Sequence, residues 1–447
     1  MDSAGTVGTV RGAQLHLLRR FPSDPLGPEV SKIRGSYVHL ADGSRLLDLT
    51  AGYSACVALG GNRREVLRGV RRQMRRYSYV SALSWANPMA EELAELLVRR
   101  APHGLDRVMF PGCSGSEAIE AAMRMSYQLR VDRGQPEKRH FISRFNAYHG
   151  ITALALSISS TDVYEFLRPI QPTISHLIAQ HNYFEQAHPG ESQETYAERS
   201  ARQLEDEILR VGHERVTAFI AETMLGQLQG NVPPSADYWV RVREICDRYD
   251  VHLILDEIYC GLCRSGRVYC CEWDDVSPDF VAQGKQLAAG YGPISAVVTR
   301  SAFEEEIKRG RNRIFFASTY EAHPLAVAAA VEVQKIVQSD ALLEHVNETG
   351  VAMRAMLTEE LGTHPFFRNV RGRGMLSTIE YDCEGRDELN RRLESAMRAE
   401  GFLMKARYHR ANFNPPSTTS VGDALRAVEA FTRNFARLAT NFAEKKR

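Results

Sequence analysis

The run Phe280-Val-Ala-Gln-Gly-Lys-Gln-Leu-Ala-Ala-Gly-Tyr-Gly-Pro293 decides how this chain is read. A short apolar stretch ends in Gly284-Lys285, and only small residues and glycines follow. A lysine at the end of a strand has two readings. It is a solvated surface amine, or it is an amine held in a closed site, its pKa brought down by burial and ready to form a Schiff base. Lys285 alone does not separate them. The rest of the chain must supply an anion cradle, a carboxylate and an aromatic cover.

Working outward, the apolar run Val251-His-Leu-Ile-Leu255 ends in Asp256-Glu257, followed by Ile258-Tyr259. Further back, Val216-Thr-Ala-Phe-Ile-Ala221 delivers Glu222, and His140-Phe-Ile-Ser143 leads to Tyr148-His149-Gly150. Downstream, Ile294 to Val298 is one more strand. Before all of these, Val108 to Phe110 precedes Pro111-Gly-Cys-Ser-Gly-Ser-Glu117. Ser114 and Glu117 form a capping box, so a helix opens directly after a strand and offers its N–H groups at Gly115 and Ser116 to an anion. Helices are expected between the strands: Pro88 to Arg100, Tyr238 to Tyr249, and an alanine-rich one from Leu325 to Gln338. Strands alternating with helices, with chemistry at strand C-termini, predict an α/β fold around an open, mostly parallel sheet.

The flanks are plainer. A short helix is expected around Gln14 to Phe21, and Asp42-Gly43 between apolar alternations predicts a hairpin. Thr50 to Gly61 reads as a loop rich in small residues. Arg63 to Arg76 carries seven arginines, with Val66, Val70 and Met74 as its apolar stripe and the arginines on solvated faces. Ser159 to Glu214 reads as polar and helical, with a surface helix from Tyr196 to Leu209. The chain's 447 residues imply more than one core. The expected division is an N-terminal segment over 1–75, a large domain over 76–330 and a C-terminal small α+β domain over 331–447. The 56 basic and 55 acidic residues nearly cancel, which argues against a nucleic-acid partner. No apolar run approaches the ~20 residues of a membrane helix. Sparse cysteines and a start without signal-peptide pattern point to the cytoplasm.

Taken together, Ser-Gly-Ser-Glu-Ala (114–118), Tyr-His-Gly (148–150), Ala-Glu (221–222), Asp-Glu-Ile (256–258), Arg-Ser-Gly (264–266), Gly-Lys (284–285), Ala-Gly-Tyr (289–291) with Pro293, and Thr-Tyr-x-x-His-Pro (319–324) resemble the class III aminotransferases, fold-type I enzymes that use pyridoxal 5′-phosphate. The resemblance runs from about Gly35 to Leu425. It implies a large domain with a mostly parallel seven-stranded sheet flanked by helices, and a small-molecule amine and acceptor as substrates. Lys285 would carry the cofactor as a Schiff base and shuttle the proton, while Asp256 would pair with the pyridine nitrogen. Gly115 and Ser116 would take the phosphate, Tyr148 and Ile258 would cover the two ring faces, and His149, Glu222 and Tyr259 would complete the cofactor shell. Thr319 would reach the phosphate of a second subunit, which implies a homodimer.

Departures concern the substrate. Many relatives place an arginine just ahead of the aromatic-x-Pro-Pro segment, where this chain has Asn412, and an amide cannot replace a guanidinium as a bidentate carboxylate partner. Arg407 and Arg410 are the candidate substitutes, with Tyr53 and Trp85 as further substrate residues. Gln227 stands where some relatives carry a glutamate gate. These departures keep a second outcome in view: a non-transaminating enzyme of the same fold, such as an epimerase, aminomutase, decarboxylase, or replacement or carbon–carbon bond-forming enzyme. Cys260-x-x-Cys263 with Cys270-Cys271 has a zinc-like spacing, but it falls inside a loop that the resemblance already accounts for, so no metal is expected.

Overall fold

The computed structural model describes residues 16–24, 27–226, 228–383 and 385–444. An antiparallel trio comes first: β1 (Val30–Arg34), β2 (Tyr37–Leu40) and β3 (Arg45–Asp48). The β2–β3 hairpin turns at Asp42-Gly43 as expected. Gly43 takes φ 87°, and the Asp42 carboxylate accepts the Ser44 N–H at 2.9 Å.

Seven strands build the central sheet: β4 (Arg107–Met109), β5 (His140–Arg144), β6 (Ser175–Ile178), β7 (Val216–Glu222), β8 (His252–Asp256), β9 (Phe280–Gln283) and β10 (Ala296–Thr299). Their spatial order is β4-β10-β9-β8-β7-β5-β6. Strands β5 to β9 run parallel, and β10 is antiparallel to both of its neighbours. Both faces are covered, which is why these strands are apolar throughout. Phe219, Leu253, Leu255 and Val281 face one core with Trp239 and Val242. Ala218, Ile220, Ile254 and Phe280 face another with Ala118, Ile119 and Ala122.

The second half adds β11 (Phe367–Arg373), β12 (Leu376–Tyr381), β13 (Phe402–Leu403), β14 (Lys405–Arg407) and β15 (Arg410–Phe413). An antiparallel sheet, ordered β11-β12-β15-β14, packs on the helices Asp340–Leu361 and Val421–Glu444. Strand β13 pairs with β3, and Leu47 and Leu49 join Tyr381, Phe413 and Phe431 in that core.

Three expectations need correction. In the arginine-rich helix α1 (Arg64–Met74), Met74 is 61% exposed, and the buried line is Val66, Gly69 and Gln73. The helix lies so close to the helix Pro324–Val337 that a Cβ on Gly69 would sit 2.5 Å from Cγ of Glu332, so a glycine and an amide make the contact face. The polar stretch 159–214 is not wholly helical: β6 pairs with β5 inside it, its register carried by only four residues. His16 to Phe21 is not helical, while Gln14, like Gln227, lies outside the described residues. Among the described residues, no helix is long and apolar enough to cross a membrane.

Candidate active site

Parallel pairing brings the chemistry together. Glu222 and Asp256 are register partners at the ends of β7 and β8, and Asp256 pairs with Ala282 of β9, three residues before Lys285. Adjacent strands lie about 4.8 Å apart, so two carboxylates and one amine are forced into one small volume. Asp256 is buried. Its Oδ2 accepts from Nδ1 of His149 at 2.8 Å and its Oδ1 from the Ile258 N–H at 3.0 Å. The His149 backbone is fixed in turn by Ser159 Oγ at 2.9 Å, and the ring's buried Nε2 has no protein partner.

Burial sets the charge states. It lifts the Glu222 carboxyl from the usual carboxylate range to about 7, with Asp256 adding to the rise and His149 opposing it. The Lys285 amine lies below the ordinary lysine value because burial outweighs the attraction of Asp256 and Glu222. Lys285 also takes φ 25°, an unfavourable backbone angle for a side chain with a Cβ. Its Nζ stands 5.7 Å from the ring centroid of Tyr259.

The anion cradle is the start of α2, here the helix Gly115–Asp132. Ser114 accepts from the Glu117 N–H, and the Glu117 carboxylate reaches back to the N–H groups of Cys113 and Ser114 at 2.7 and 2.9 Å. With the cap supplied by Ser114 and Glu117, the first-turn N–H groups of Gly115 and Ser116 have no intrahelical acceptor, and the dipole favours an anion there. Ser116 Oγ accepts from the Ile151 N–H at 3.1 Å, which leaves its proton free to donate. Gly115 is required by packing, since a Cβ would sit 2.6 Å from Cδ1 of Ile258. Ile258 therefore lies against both Gly115 and Gly284.

The other residues named from sequence are partly exposed or engaged by other groups. Tyr148 is 37% exposed and stacks on Tyr164 at 6.2 Å between centroids. Tyr53 and Arg407 form an exposed pair, with Nη2 donating to the phenol oxygen at 2.5 Å. Thr319 is exposed, its carbonyl accepting the Tyr79 hydroxyl at 2.9 Å, and Trp85, six residues beyond Tyr79, is 67% exposed. Arg410 is buried and taken up by Glu185 and by the Leu228 carbonyl. Burial lowers its guanidinium to about 10. Asn412 is also buried, its Oδ1 accepting from Thr378 Oγ1 at 2.6 Å.

Four residues that the sequence reading passed over complete the wall: Asn231, Asn414, Thr378 and Arg371. The Tyr259 hydroxyl donates to Asn231 Oδ1 and accepts from Asn414 Nδ2, each at 3.0 Å. Arg371 holds the carbonyls of Gln229 and Gly230. The only trace of Asn231 in the sequence is its place in Gly230-Asn231, where an asparagine tolerates the left-handed φ of 52°. Cys260, Cys263 and Cys271 are buried thiols whose pKa values burial pushes up. Among the described residues, the ligand atoms that come together as a metal site's would are those of Glu185, Glu380 and His409. Arg410 and Arg371 already pair with those two glutamates.

The donor set fits a flat, phosphate-bearing heterocyclic aldehyde: a helix N-terminus, a buried carboxylate with lone pairs to spare, an amine of lowered pKa and a glycine floor. Comparison with known proteins agrees. The chain is 36% identical over 363 residues to an uncharacterised aminotransferase of Schizosaccharomyces pombe, covering 79% of this chain and 77% of that one. It is 34% identical over 356 residues to a putrescine–pyruvate aminotransferase of Pseudomonas aeruginosa, covering 78% and 76%. Its fold matches the omega transaminase of Pseudomonas jessenii in complex with PMP at a TM-score of 0.88, with 27% identity over 93% and 94% of the two chains. The profile of the class III aminotransferases matches residues 22–434, and the chain belongs to that family of pyridoxal-phosphate-dependent transferases.

Proposed function

We propose that the chain moves an amino group from a small amine or amino acid to a keto or aldehyde acceptor, with Lys285 as the residue that carries the cofactor and the proton. The observation that carries this reading is the half-buried amine just beyond the end of β9, held below its ordinary pKa beside Asp256 and Glu222. When bound, pyridoxal phosphate supplies an electron sink next to the reacting nitrogen. The chain supplies the rest. Lys285 would hold the cofactor through Nζ, and its lowered pKa favours the neutral amine that takes and returns a proton. Asp256, oriented by His149, keeps a proton on the ring nitrogen. Gly115 and Ser116 would receive the phosphate, Ile258 and Tyr148 would bound the ring faces, and Glu222 and Tyr259 would stand at its edge.

For the substrate, the reading is a donor whose reacting amine is remote from any carboxylate. Relatives bear the names of putrescine–pyruvate aminotransferase and of γ-aminobutyrate transaminases, the latter in Solanum lycopersicum. The neutral Asn412, with its amide oxygen already engaged, supports the same choice. Arg407 is then the guanidinium that meets a carboxylate of the acceptor. A second copy of the chain is assigned to the exposed apolar surface of Tyr79, Leu83, Trp85, Phe315 and Tyr320 around Thr319. The division at 75 and 330 and a cytoplasmic location belong to the same proposal.

Mixing the holoenzyme with single amine donors tests it. The visible cofactor band should give way to the amine form while the donor's carbonyl product appears, and an acceptor should restore the band. A donor panel spanning diamines, ω-amino acids and α-amino acids that leaves the band unchanged would overturn the assignment.

A further inference from the structure

The wall beside Lys285 contains a closed hydrogen-bond ring. The Tyr259 hydroxyl donates to Asn231 Oδ1 (3.0 Å), Asn231 Nδ2 donates to Asn414 Oδ1 (3.0 Å), and Asn414 Nδ2 donates to the Tyr259 oxygen (3.0 Å). Asn231 Nδ2 also donates to Thr378 Oγ1 at 3.0 Å, and that hydroxyl passes its own proton to Asn412. With Thr378 donating onward to Asn412, Asn231 presents its NH₂ to Thr378 and its oxygen to the phenol, and the ring run in the reverse sense would likewise spend the phenol's proton, on Asn414. Asn231 is 0% exposed, Asn414 1% and Thr378 0%, so water does not compete for these bonds. Outside the ring, Arg371 clasps the carbonyl of Gly230 at 2.9 Å and Arg410 that of Leu228 at 2.9 Å. The loop that carries Asn231 is thereby held on the small sheet.

A phenol has one proton, and here it is spent on Asn231. We propose that Asn231 and Asn414 are positioning residues that keep the Tyr259 hydroxyl from donating to the cofactor's 3′ oxygen, so that Tyr259 serves as an aromatic wall against Lys285. The proposal rests on the reading of Lys285 as the cofactor's anchor. With the cofactor bound, its 3′ oxygen would receive no proton from Tyr259, and a proton on the neighbouring nitrogen would be held more tightly. The titratable and charged groups facing Lys285 and Tyr259 (Asp256, Glu222, Cys56, Cys260 and Arg264) are untouched by substitutions in the ring.

The test is the pH titration of the holoenzyme's visible band in four proteins: wild type, Tyr259→Phe, Asn231→Gly and the double variant. Glycine accepts the positive φ of position 231, and phenylalanine keeps the ring, so both preserve the backbone. Tyr259→Phe is expected to leave the midpoint within about 0.2 pH unit, because it removes no bond to the cofactor. Asn231→Gly frees the phenol's proton and is expected to lower the midpoint by about 0.5–1 unit, the size of one charge-assisted hydrogen bond partly realised. The double variant returns to the wild-type midpoint, a rescue that a merely structural disturbance would not show. A Tyr259→Phe shift as large as that of Asn231→Gly, no shift in Asn231→Gly, or a double variant that stays shifted would each overturn the proposal. If Asn231→Gly fails to fold, the Tyr259→Phe midpoint decides alone. A wild-type protein that shows no visible band after loading would instead sink the Lys285 reading.

Discussion

The floor of the site and its wall are built on opposite principles. The floor, at the ends of β7, β8 and β9, crowds Glu222 and Lys285 beside Asp256, and burial moves the pKa values of the first two because too few bonds offset it. The wall, from β12, β15 and the loop before Pro233, is neutral where it approaches Tyr259, and its amides and hydroxyls bond one another. Its arginines, 371 and 410, are spent on carbonyls and glutamates. Under-compensated charge has a perturbed pKa and can move protons; saturated polar groups can only hold shape. Reaction chemistry is therefore expected to fail when the floor is changed, and stability or substrate preference when the wall is.

The sharpest break is at the floor. Lys285→Ala removes both the cofactor's anchor and the proton carrier, and turnover should fall by about 10⁴-fold, the upper end for a lost acid–base group. Absorbance of the loaded protein and a single-turnover amine transfer would check it, and a retained covalent signal after borohydride reduction would refute the assignment. Asp256→Asn is isosteric and removes only the charge that His149 orients. Turnover should drop by about 10³-fold with cofactor still bound; an unchanged rate would show that the ring nitrogen needs no carboxylate here.

Floor charges should also appear in stability. The Glu222 carboxyl titrates near 7 in the folded chain against 4.5 as its ordinary value. A raised carboxylate pKa means that the folded state holds its proton while the unfolded state has lost it. Stability then falls as pH rises from about 4.5 to 7 and is level above that. Glu257, which accepts the Cys270 and Cys271 N–H groups, is raised to about 7 as well. Glu222→Gln in the apo protein should gain up to about 3 kcal/mol near pH 8 and almost nothing near pH 4. Glu257 contributes a slope of the same sign, and the buried His181 and His252, lowered by burial, contribute one of opposite sign. Urea unfolding at the two pH values measures this, and equal gains at both would show that Glu222 is not buried as a charge.

Much of the floor was legible because a parallel sheet converts sequence order into spatial order. An apolar run followed by one ionisable residue reads the same in sequence and in space, as Glu222, Asp256 and Lys285 illustrate. The start of α2 was legible through Ser114 and Glu117, whose capping box is local. The wall was not, for the same physical reason reversed. Asn231, Thr378 and Asn414 meet across 183 residues of chain, from Asn231 to Asn414, and an asparagine or threonine carries no pattern that announces a partner so far away. Strand β6 was missed because four half-covered residues at a sheet edge show no clear period, and Met74 was placed on the buried face because Gly69, not a large apolar residue, makes the contact with the neighbouring helix.

The two arginines named from sequence separate wall from substrate space, and the smaller effects distinguish them. Arg410 is 6% exposed and bound to Glu185. Arg410→Ala leaves that carboxylate unpaired and should lower stability by about 2 kcal/mol, less than a fully buried pair because Glu185 keeps some contact with water. Thermal unfolding should register it with little change in KM once the protein is folded. Arg407 is exposed, and its guanidinium lies 5.7 Å from the Tyr53 ring and bonds the phenol oxygen. The phenol hydrogen bond uses one of five donors, so an incoming carboxylate can still be met by the others. Arg407→Ala should leave the melting temperature unchanged and raise KM about tenfold for a keto acid acceptor, with a neutral aldehyde acceptor hardly affected. Arg407→Lys should recover only part of that loss, because a point charge cannot reproduce the planar fork. Equal losses for the acid and the aldehyde would place Arg407 in the wall with Arg410, and the carboxylate would then have to be read elsewhere.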